Sequence, residues 1–381
     1  MKIGFDYKAI IGGGGNKTYS HSLISSLAIV DKENKYFLFG FWHDYFLRRG
    51  LANIKNKNFK FVPAYFSRLK FSIPHAAIKK LNQWSLRLVI AIKNIDILHI
   101  TNPVNFVFGL KKEIVTIHDL SVLHNESWAK ESSVEFYRQN MSRLLKEAKG
   151  IIAVSEFTKK DIIEYYNINE EKITVVPEAA AEDYFPAPDK NYLKEKFGIN
   201  DYLLCTGQLQ PRKNIIRLIE AYAGLGYDLI DRYELVLVGA SQNDIFLTKI
   251  KETIKKLGLK DKVRLLGWVS VDDLRKIYSG TELFIYPSLF EGFGLPILEA
   301  MKCGAPVAVA RSSSLPEVAG QAALYFDPTN VSEITAVMNF FLLNENLRLD
   351  YKNRSIKRAN EFSWLKTARE TLTVYEKIQK L

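Results

Sequence analysis

Two runs of short apolar segments, many of them followed by a longer amphipathic stretch, constrain this chain more than any other feature. The first run reads as strands at Lys2–Asp6, Tyr36–Phe39, Ile95–His99, Glu113–Ile117 and Gly150–Val154. The second reads as strands at Tyr202–Cys205, Glu234–Val238, Val263–Leu266, Leu283–Tyr286 and Pro306–Val309. Helical periodicity lies between many of them, at 154–166, 214–224 and 271–279. Strands joined by helices pair in parallel and are covered on both faces, which makes them apolar throughout. The expected fold class is α/β, with two doubly wound domains. A break falls at Pro177–Pro188, where three prolines in twelve residues can continue neither a helix nor a central strand. The expected division is 1–176, a linker at 177–194, and 195–361. From about Ser363 to Leu381 a last helical pattern sets Trp364, Ala368, Leu372 and Tyr375 near one face.

A chain of 381 residues, 47% hydrophobic, can bury two cores of ordinary size. No stretch approaches the ~20 apolar residues of a membrane-spanning helix. The start, Met1 to Lys8, is too polar for a signal peptide and reads as a first strand. Cys205 and Cys303 stand far apart in apolar contexts, so no disulfide framework or zinc spacing is present, and a reducing cytosol fits. The net charge of +11 is concentrated: residues 1–100 hold 16 Lys/Arg against 5 Asp/Glu, and the remainder balances. Such a basic end suits nucleic acid or an anionic membrane surface. No nucleic-acid motif accompanies it.

Chemistry concentrates at the ends of strands, where ligands of open α/β sheets collect. Glu291 and Glu299 flank a glycine-rich turn, Gly292-Phe293-Gly294-Leu295-Pro296, that opens a helix. Glycine lets backbone approach a ligand, and helix-start N–H groups favour phosphate. Two carboxylates there repel phosphate and call for hydroxyl partners, such as a sugar and a ribose. Arg212 and Lys213 follow Gly207 after the Tyr202 strand and suit phosphate oxygens. Gly239 and the Gly267-Trp268-Val269 turn are further candidate ligand loops. The run Gly12–Gly15 follows the first strand, but its spacing is neither a dinucleotide fingerprint nor a P-loop. His118, before Asp119, ends another strand and is placed to reach a substrate.

Three segments resemble retaining glycosyltransferases of family 4: Gly207 with Arg212-Lys213-Asn214, Glu291 to Glu299, and Ser314 to Gly320. The likeness covers nearly the whole chain and is looser in the first half, where Gly12–Gly15 and His118-Asp119 match. It departs at Pro177-Glu178-Ala179-Ala180, where many members have Pro-Asn-Gly, and at Gln208, where many have arginine. The resemblance implies the GT-B fold, two Rossmann-like domains facing a cleft, with residues 362–381 crossing back to the first. It implies a nucleotide diphosphate sugar bound by the second domain, without metal or other cofactor. Arg212 and Lys213 would neutralise the leaving diphosphate, helped by N–H groups near Gly294 and Leu295. Glu299 would hold the ribose. Glu291 would contact the donor sugar, with Gly292, Phe293, Gly207, Gly239 and Val269 beside the donor. His118 would orient a sugar or acceptor hydroxyl, and Gly13, Gly14 and Gly15 would lie by the diphosphate. The expected reaction retains anomeric configuration by front-face attack; double displacement through Glu291 is the rival.

The resemblance is nearest to mannosyl and related transferases of surface-polysaccharide assembly, giving GDP-mannose a lead over UDP-sugars. A glycan or lipid-linked acceptor follows from the same likeness. Residues 59–93 interleave aromatic and basic side chains, which suits an anionic bilayer. A cytoplasmic protein docked on the inner face of the cell membrane is therefore also expected. The rival readings are a GT-B sugar-nucleotide epimerase and a non-catalytic nucleotide-sugar-binding protein.

Overall fold

The computed structural model describes residues 1–6, 15–42, 56–66, 75–106, 109–110, 112–240 and 244–380. By its contacts the chain divides into two compact units. One comprises Met1–Val122, Ala129–Glu178 and Trp364–Leu381; the other comprises Leu123–Trp128 and Ala179–Ser363.

The first unit contains β1 (Lys2–Asp6), α1 (Gly15–Val30), β2 (Lys35–Phe41), β3 (Phe59–Tyr65), α2 (His75–Lys93), β4 (Ile97–Ile100) and β5 (Glu113–Ile117). β6 (Gly150–Ala153), α3 (Glu156–Tyr166) and β7 (Ile173–Val175) complete its sheet, whose order is β3-β2-β1-β4-β5-β6-β7. Every pairing is parallel. Strand order reverses beside β1, so the loops after β1 and β4 diverge and leave room for a ligand. The central strands are buried on both faces: Ile3, Phe5, Ile114, Val115 and Ile151 have no exposed surface.

The second unit begins with α4 (Lys190–Phe197) and β8 (Tyr202–Thr206), then α5 (Ile215–Ala223), β9 (Glu234–Val238), α6 (Asp244–Lys256), β10 (Val263–Gly267) and α7 (Val271–Gly280). It continues with β11 (Leu283–Tyr286), α8 (Leu295–Lys302), β12 (Val307–Ala310), β13 (Ala323–Phe326), α9 (Val331–Leu342) and α10 (Glu345–Ala359). The sheet order is β10-β9-β8-β11-β12-β13, again parallel throughout, with its reversal beside β8. Both units are Rossmann-like, as the strand–helix alternation predicts.

Three strands lie outside the sequence reading, and each is at or near a sheet edge. β3 contains Pro63, which cannot donate to a ladder and is tolerated because, among the described residues, β3 pairs only with β2. This also corrects the expected membrane segment: Phe59 and Tyr65 are buried in β3, and Phe61 packs over Gly40. β7 is three residues long, and β13 is a four-residue run following a short turn. The proline-rich crossing is packed, since Ala179, Ala180 and Tyr184 are buried, and α4 starts inside the expected linker.

The final helix, α11 (Trp364–Gln379), belongs to the first unit and packs on α1. Its buried face is Trp364, Ala368, Thr371, Val374, Tyr375 and Ile378; Leu372 sits at the margin. The Tyr375 hydroxyl meets His99 Nδ1 at 2.7 Å, and His99 Nε2 meets Thr116 Oγ1 at 2.8 Å. Burial pushes the His99 ring down to about 3, so it stays neutral and gives one proton to this chain of hydrogen bonds. Among the described residues no helix is long and apolar enough to cross a membrane.

Candidate active site

β8 and β11 are sheet neighbours, so the loops at their carboxyl ends meet although they are distant in sequence. After β8 the chain turns at Gly207, with φ +123°, and passes through a 3-10 turn, Pro211–Lys213. Asn214 ends that turn in the left-handed region, φ +59°, which asparagine tolerates better than most residues. Its amide donates to the carbonyls of Pro287 at 3.1 Å and Pro328 at 2.6 Å. The Leu289 N–H donates to the Arg212 carbonyl at 2.9 Å. These bonds hold the two basic residues against the loop that follows β11.

There Glu291 is buried and receives both cations. Lys213 Nζ donates to its Oε1 at 2.5 Å, and Arg212 Nη1 donates to its Oε2 at 2.8 Å. Ser288 Oγ and the Tyr286 hydroxyl also donate to Oε1, at 2.6 and 3.0 Å. Burial by itself would raise this carboxyl, but the Lys213 and Arg212 charges and these donors outweigh it and hold it at about 2. Burial pulls Lys213 down from the usual lysine range while the Glu291 charge opposes it. The loop backbone is clamped by three serines: Ser313 Oγ accepts from the Glu291 N–H at 2.8 Å, Ser314 Oγ donates to the carbonyls of Glu291 and Phe293 at 2.9 Å, and Ser312 Oγ donates to the Ser288 carbonyl at 2.8 Å.

Gly294 takes φ +109° and caps α8, with Pro296 in the first turn where no N–H is needed. Glu299 lies in the second turn and accepts from the Tyr278 hydroxyl at 3.0 Å. Burial pushes its carboxyl up to about 7, against the pull of Tyr278, Tyr184 and the Lys213 charge. Tyr278 also meets Thr206 Oγ1 at 2.7 Å, tying the end of β8 to α8. Backbone bonds tie the three glycine turns together: the Gly207 N–H donates to the Val238 carbonyl and the Gly239 N–H to the Gly267 carbonyl, at 2.9 and 2.8 Å. Beyond them Trp268 is exposed and Val269 half-buried. Thus Arg212, Lys213 and Glu291 form one cluster, and the Gly207, Gly239 and Gly267 turns form a row beside it.

In the first unit His118 stands at the end of β5. Its Nδ1 lies 2.8 Å from Glu178 Oε1 and its Nε2 lies 3.0 Å from the Thr101 carbonyl. The Tyr19 ring meets it edge-on, with centroids 4.6 Å apart. A cavity of about 260 Å³ opens beside it, lined by Asn102, Asp119, Ser121, Ser133 and Tyr137 among others. Gly15 opens α1 with free space around its Cα; Gly13 and Gly14 lie outside the described residues.

Sequence reasoning missed Tyr286, Ser288, Ser313 and Glu178, and quoted Asn214 in a motif without giving it a role. Ser288 stands three residues before Glu291 in one turn, and Asn214 directly follows the basic pair, so both carried a local signal. Glu178 was visible only as a departure from a pattern.

Residues 44–181 match the model for Glycosyltransferase Family 4, and residues 189–358 match that for Glycosyl transferases group 1. The chain is 34% identical over 272 residues to O-antigen chain mannosyltransferase B of Escherichia coli, covering 70% of this chain and 71% of that one. It is 33% identical over 264 residues to the serotype-specific mannosyltransferase WbdA of E. coli, covering 68% of this chain but only 32% of that protein, so it spans about a third of WbdA. In structure it superposes on sucrose-phosphate synthase from Thermosynechococcus elongatus with a TM-score of 0.78 and 18% identity, covering 99% of this chain and 98% of that one. Family models over both halves, a mannosyltransferase relative aligned over most of its length and a shared pair of Rossmann-like sheets agree: the chain belongs to glycosyltransferase family 4, retaining GT-B enzymes that use nucleotide sugars.

Proposed function

We propose that this enzyme moves a hexosyl group, mannosyl ahead of others, from a nucleotide diphosphate sugar to a glycan or lipid-linked acceptor, without a metal. The buried Arg212–Glu291–Lys213 cluster beside the start of α8 carries the reading. Two fixed cations and a helix N-terminus are suited to stabilising charge that develops on a departing diphosphate. In the proposed step the bond from the anomeric carbon to the phosphate oxygen breaks and the acceptor oxygen bonds to that carbon on the same face. The acceptor's proton goes to the leaving phosphate. Glu291, with both oxygens already accepting, is too weakly basic to serve as a good nucleophile, which favours this front-face route over double displacement. Its proposed part is to fix the cations and steady positive charge on the sugar. Glu299 would accept from the ribose hydroxyls, and the Gly207, Gly239 and Val269 turns would flank the nucleotide. His118 would orient a sugar or acceptor hydroxyl. The mannosyl preference rests on the E. coli relatives.

Calorimetric titration with GDP, UDP, ADP and dTDP, no metal added, is expected to show selective binding, with GDP first. Because Glu299 must lose its proton to accept from two hydroxyls, affinity should fall as pH drops below about 7, by up to roughly tenfold per pH unit. In Glu299→Gln binding should be weaker and flat with pH. Binding of no nucleotide would overturn the donor site.

We also propose that the first unit docks on an anionic bilayer through α2. Leu81, Trp84, Leu88 and Ile92 recur every three or four residues along one face, and all are exposed, Trp84 by 63% and Ile92 by 65%. Exposed Phe66 is joined to this helix through Asn82, its N–H donating at 2.8 Å, and stacks on exposed Trp42. Between Asp44 and Asp96 the sequence has 11 Lys/Arg and no carboxylate, so the charge suits acidic lipid headgroups. Full-length protein should co-sediment with phosphatidylglycerol-rich vesicles at low salt. Trp84→Glu with Leu88→Glu should reduce the bound fraction at least tenfold while leaving nucleotide affinity unchanged. Equal sedimentation of that variant, or no binding by the wild type, would remove α2 as the docking surface.

A further inference from the structure

An imidazole ring has two nitrogens, and in its neutral form only one of them carries a proton. His118 faces an acceptor with each. The Thr101 carbonyl, 3.0 Å from Nε2, has only lone pairs to offer, so Nε2 must be an N–H. The Glu178 carboxylate, 2.8 Å from Nδ1, likewise accepts when ionised. A neutral ring would satisfy this geometry only if Glu178 kept its own proton. We propose that Glu178 is a positioning residue that holds His118 as a doubly protonated imidazolium, fixed between Thr101 and the carboxylate. The proposal deepens the transferase reading at one residue, and rests on that reading only for its effect on catalysis.

The surroundings favour the ion pair. Glu178 and His118 are largely shielded, with side chains 6% and 19% exposed. The charged neighbour just after β5 is Asp119, also negative, whose Oδ1 accepts from the Ser121 N–H and hydroxyl at 3.0 and 2.7 Å. From α1 the ring is met by neutral Tyr19, behind which stands Trp364 of α11. From β4 the nearest ionisable group is His99, which burial keeps neutral. The Tyr137 hydroxyl donates to the Asp119 backbone rather than to the ring. Burial acts against a charged histidine here, but the hydrogen bond and charge of Glu178 together outweigh it and lift the ring above its ordinary range.

A ring held in this way offers a substrate hydroxyl only N–H, shared with Thr101, and cannot act as a base. Glu178→Gln keeps the shape, but its amide can donate to a bare Nδ1 and so permits a neutral ring. Glu178→Ala removes the partner. The stability linkage has a definite sign: with the folded-state value raised, the pair's contribution is fully present below pH ~6.5 and is lost as pH rises through the raised value.

The test is long-range proton–nitrogen correlation on full-length protein labelled with ¹⁵N-histidine, with the His118 signals assigned from their absence in His118→Gln. At neutral pH the wild type should show both His118 nitrogens protonated, with the midpoint above the ordinary histidine range. In Glu178→Gln one nitrogen should become bare and the midpoint should drop by roughly one unit or more. A bare His118 nitrogen in the wild type at pH 7 would overturn the proposal, and this arm needs no folded variant at Glu178. A second arm follows kcat/KM against pH with the nucleotide sugar found active: the alkaline limb should move to lower pH in Glu178→Gln. An unmoved limb beside the expected change in nitrogen signature would overturn the proposed effect on catalysis. Absence of transfer by the wild type, with the doubly protonated signature present, would instead count against the transferase reading and leave the lock standing.

Discussion

Replacing Glu291 by alanine is expected to reduce turnover roughly 10²–10³-fold and to destabilise the second unit by about 3–5 kcal/mol. The second figure follows from what the substitution leaves behind. Lys213 Nζ is buried, and Glu291 is its 2.5 Å ion-pair partner; without it the ammonium retains the Tyr286 hydroxyl and no counter-charge in this cluster. An uncompensated buried charge costs far more than a surface ion pair contributes. The first figure follows from geometry, since Arg212 and Lys213 are held in place by the carboxylate they share. Glu291→Gln separates the two effects: it keeps most of the hydrogen bonds but frees positive charge, so diphosphate affinity should hold or rise while turnover falls. Acid unfolding supplies an independent check. With its folded-state value near 2 against an ordinary 4.5, Glu291 stabilises above pH 4.5 and loses that contribution as pH falls toward 2. Urea unfolding of the alanine variant should therefore depend less on pH in that window. Wild-type turnover together with a wild-type unfolding midpoint would remove Glu291 from both roles.

The second large effect is expected at Gly239. A Cβ there would stand 1.9 Å from the Gly207 carbonyl oxygen and 2.7 Å from its carbon, and the residue has φ +143°. Both obstacles are backbone, so no rotamer change relieves them. The ends of β8 and β9 would have to separate, straining the bonds from Gly207 to Val238 and from Gly239 to Gly267. Gly239→Ala should cost at least about 3 kcal/mol and abolish measurable nucleotide binding. Gly207→Ala is the informative contrast. Its Cβ would meet only the Lys213 side chain, in ordinary van der Waals contact at 3.6 Å, so the cost is mainly that of a φ of +123°. It should lose about 1–2 kcal/mol and should leave the strands and Lys213 in place. Denaturant midpoints of the two variants check the order; equal midpoints would contradict it.

These residues show which parts of the molecule could be read in advance. The central strands were legible because burial on both faces makes them continuously apolar, as in Leu235–Val238 and Leu283–Tyr286. Edge strands were not, because β3 tolerates Pro63 and alternates lysine with phenylalanine, so it read as surface. Glycines, Arg212, Lys213, Glu291 and Glu299 stood out by type and by position after a strand. Their partnership did not: that Glu291 takes both basic side chains depends on β8 and β11 being neighbours, a property of strand order. The Ser312–Ser314 clamp was hidden for the same reason, since it acts on a loop more than twenty residues upstream. The His118–Glu178 pair spans 60 residues and brings together the ends of two distant segments.

The position of α11 has a consequence for synthesis. The second unit is drawn mostly from one unbroken stretch, 179–363, but the first is finished only by Trp364–Gln379. As the chain leaves the ribosome, the earlier-made sheet must wait with Tyr19 and His99 uncovered, lacking Trp364 and Tyr375, until the last turn emerges. The half translated first is thus the half completed last, and a nascent chain stopped short of residue 364 would carry an unfinished first unit.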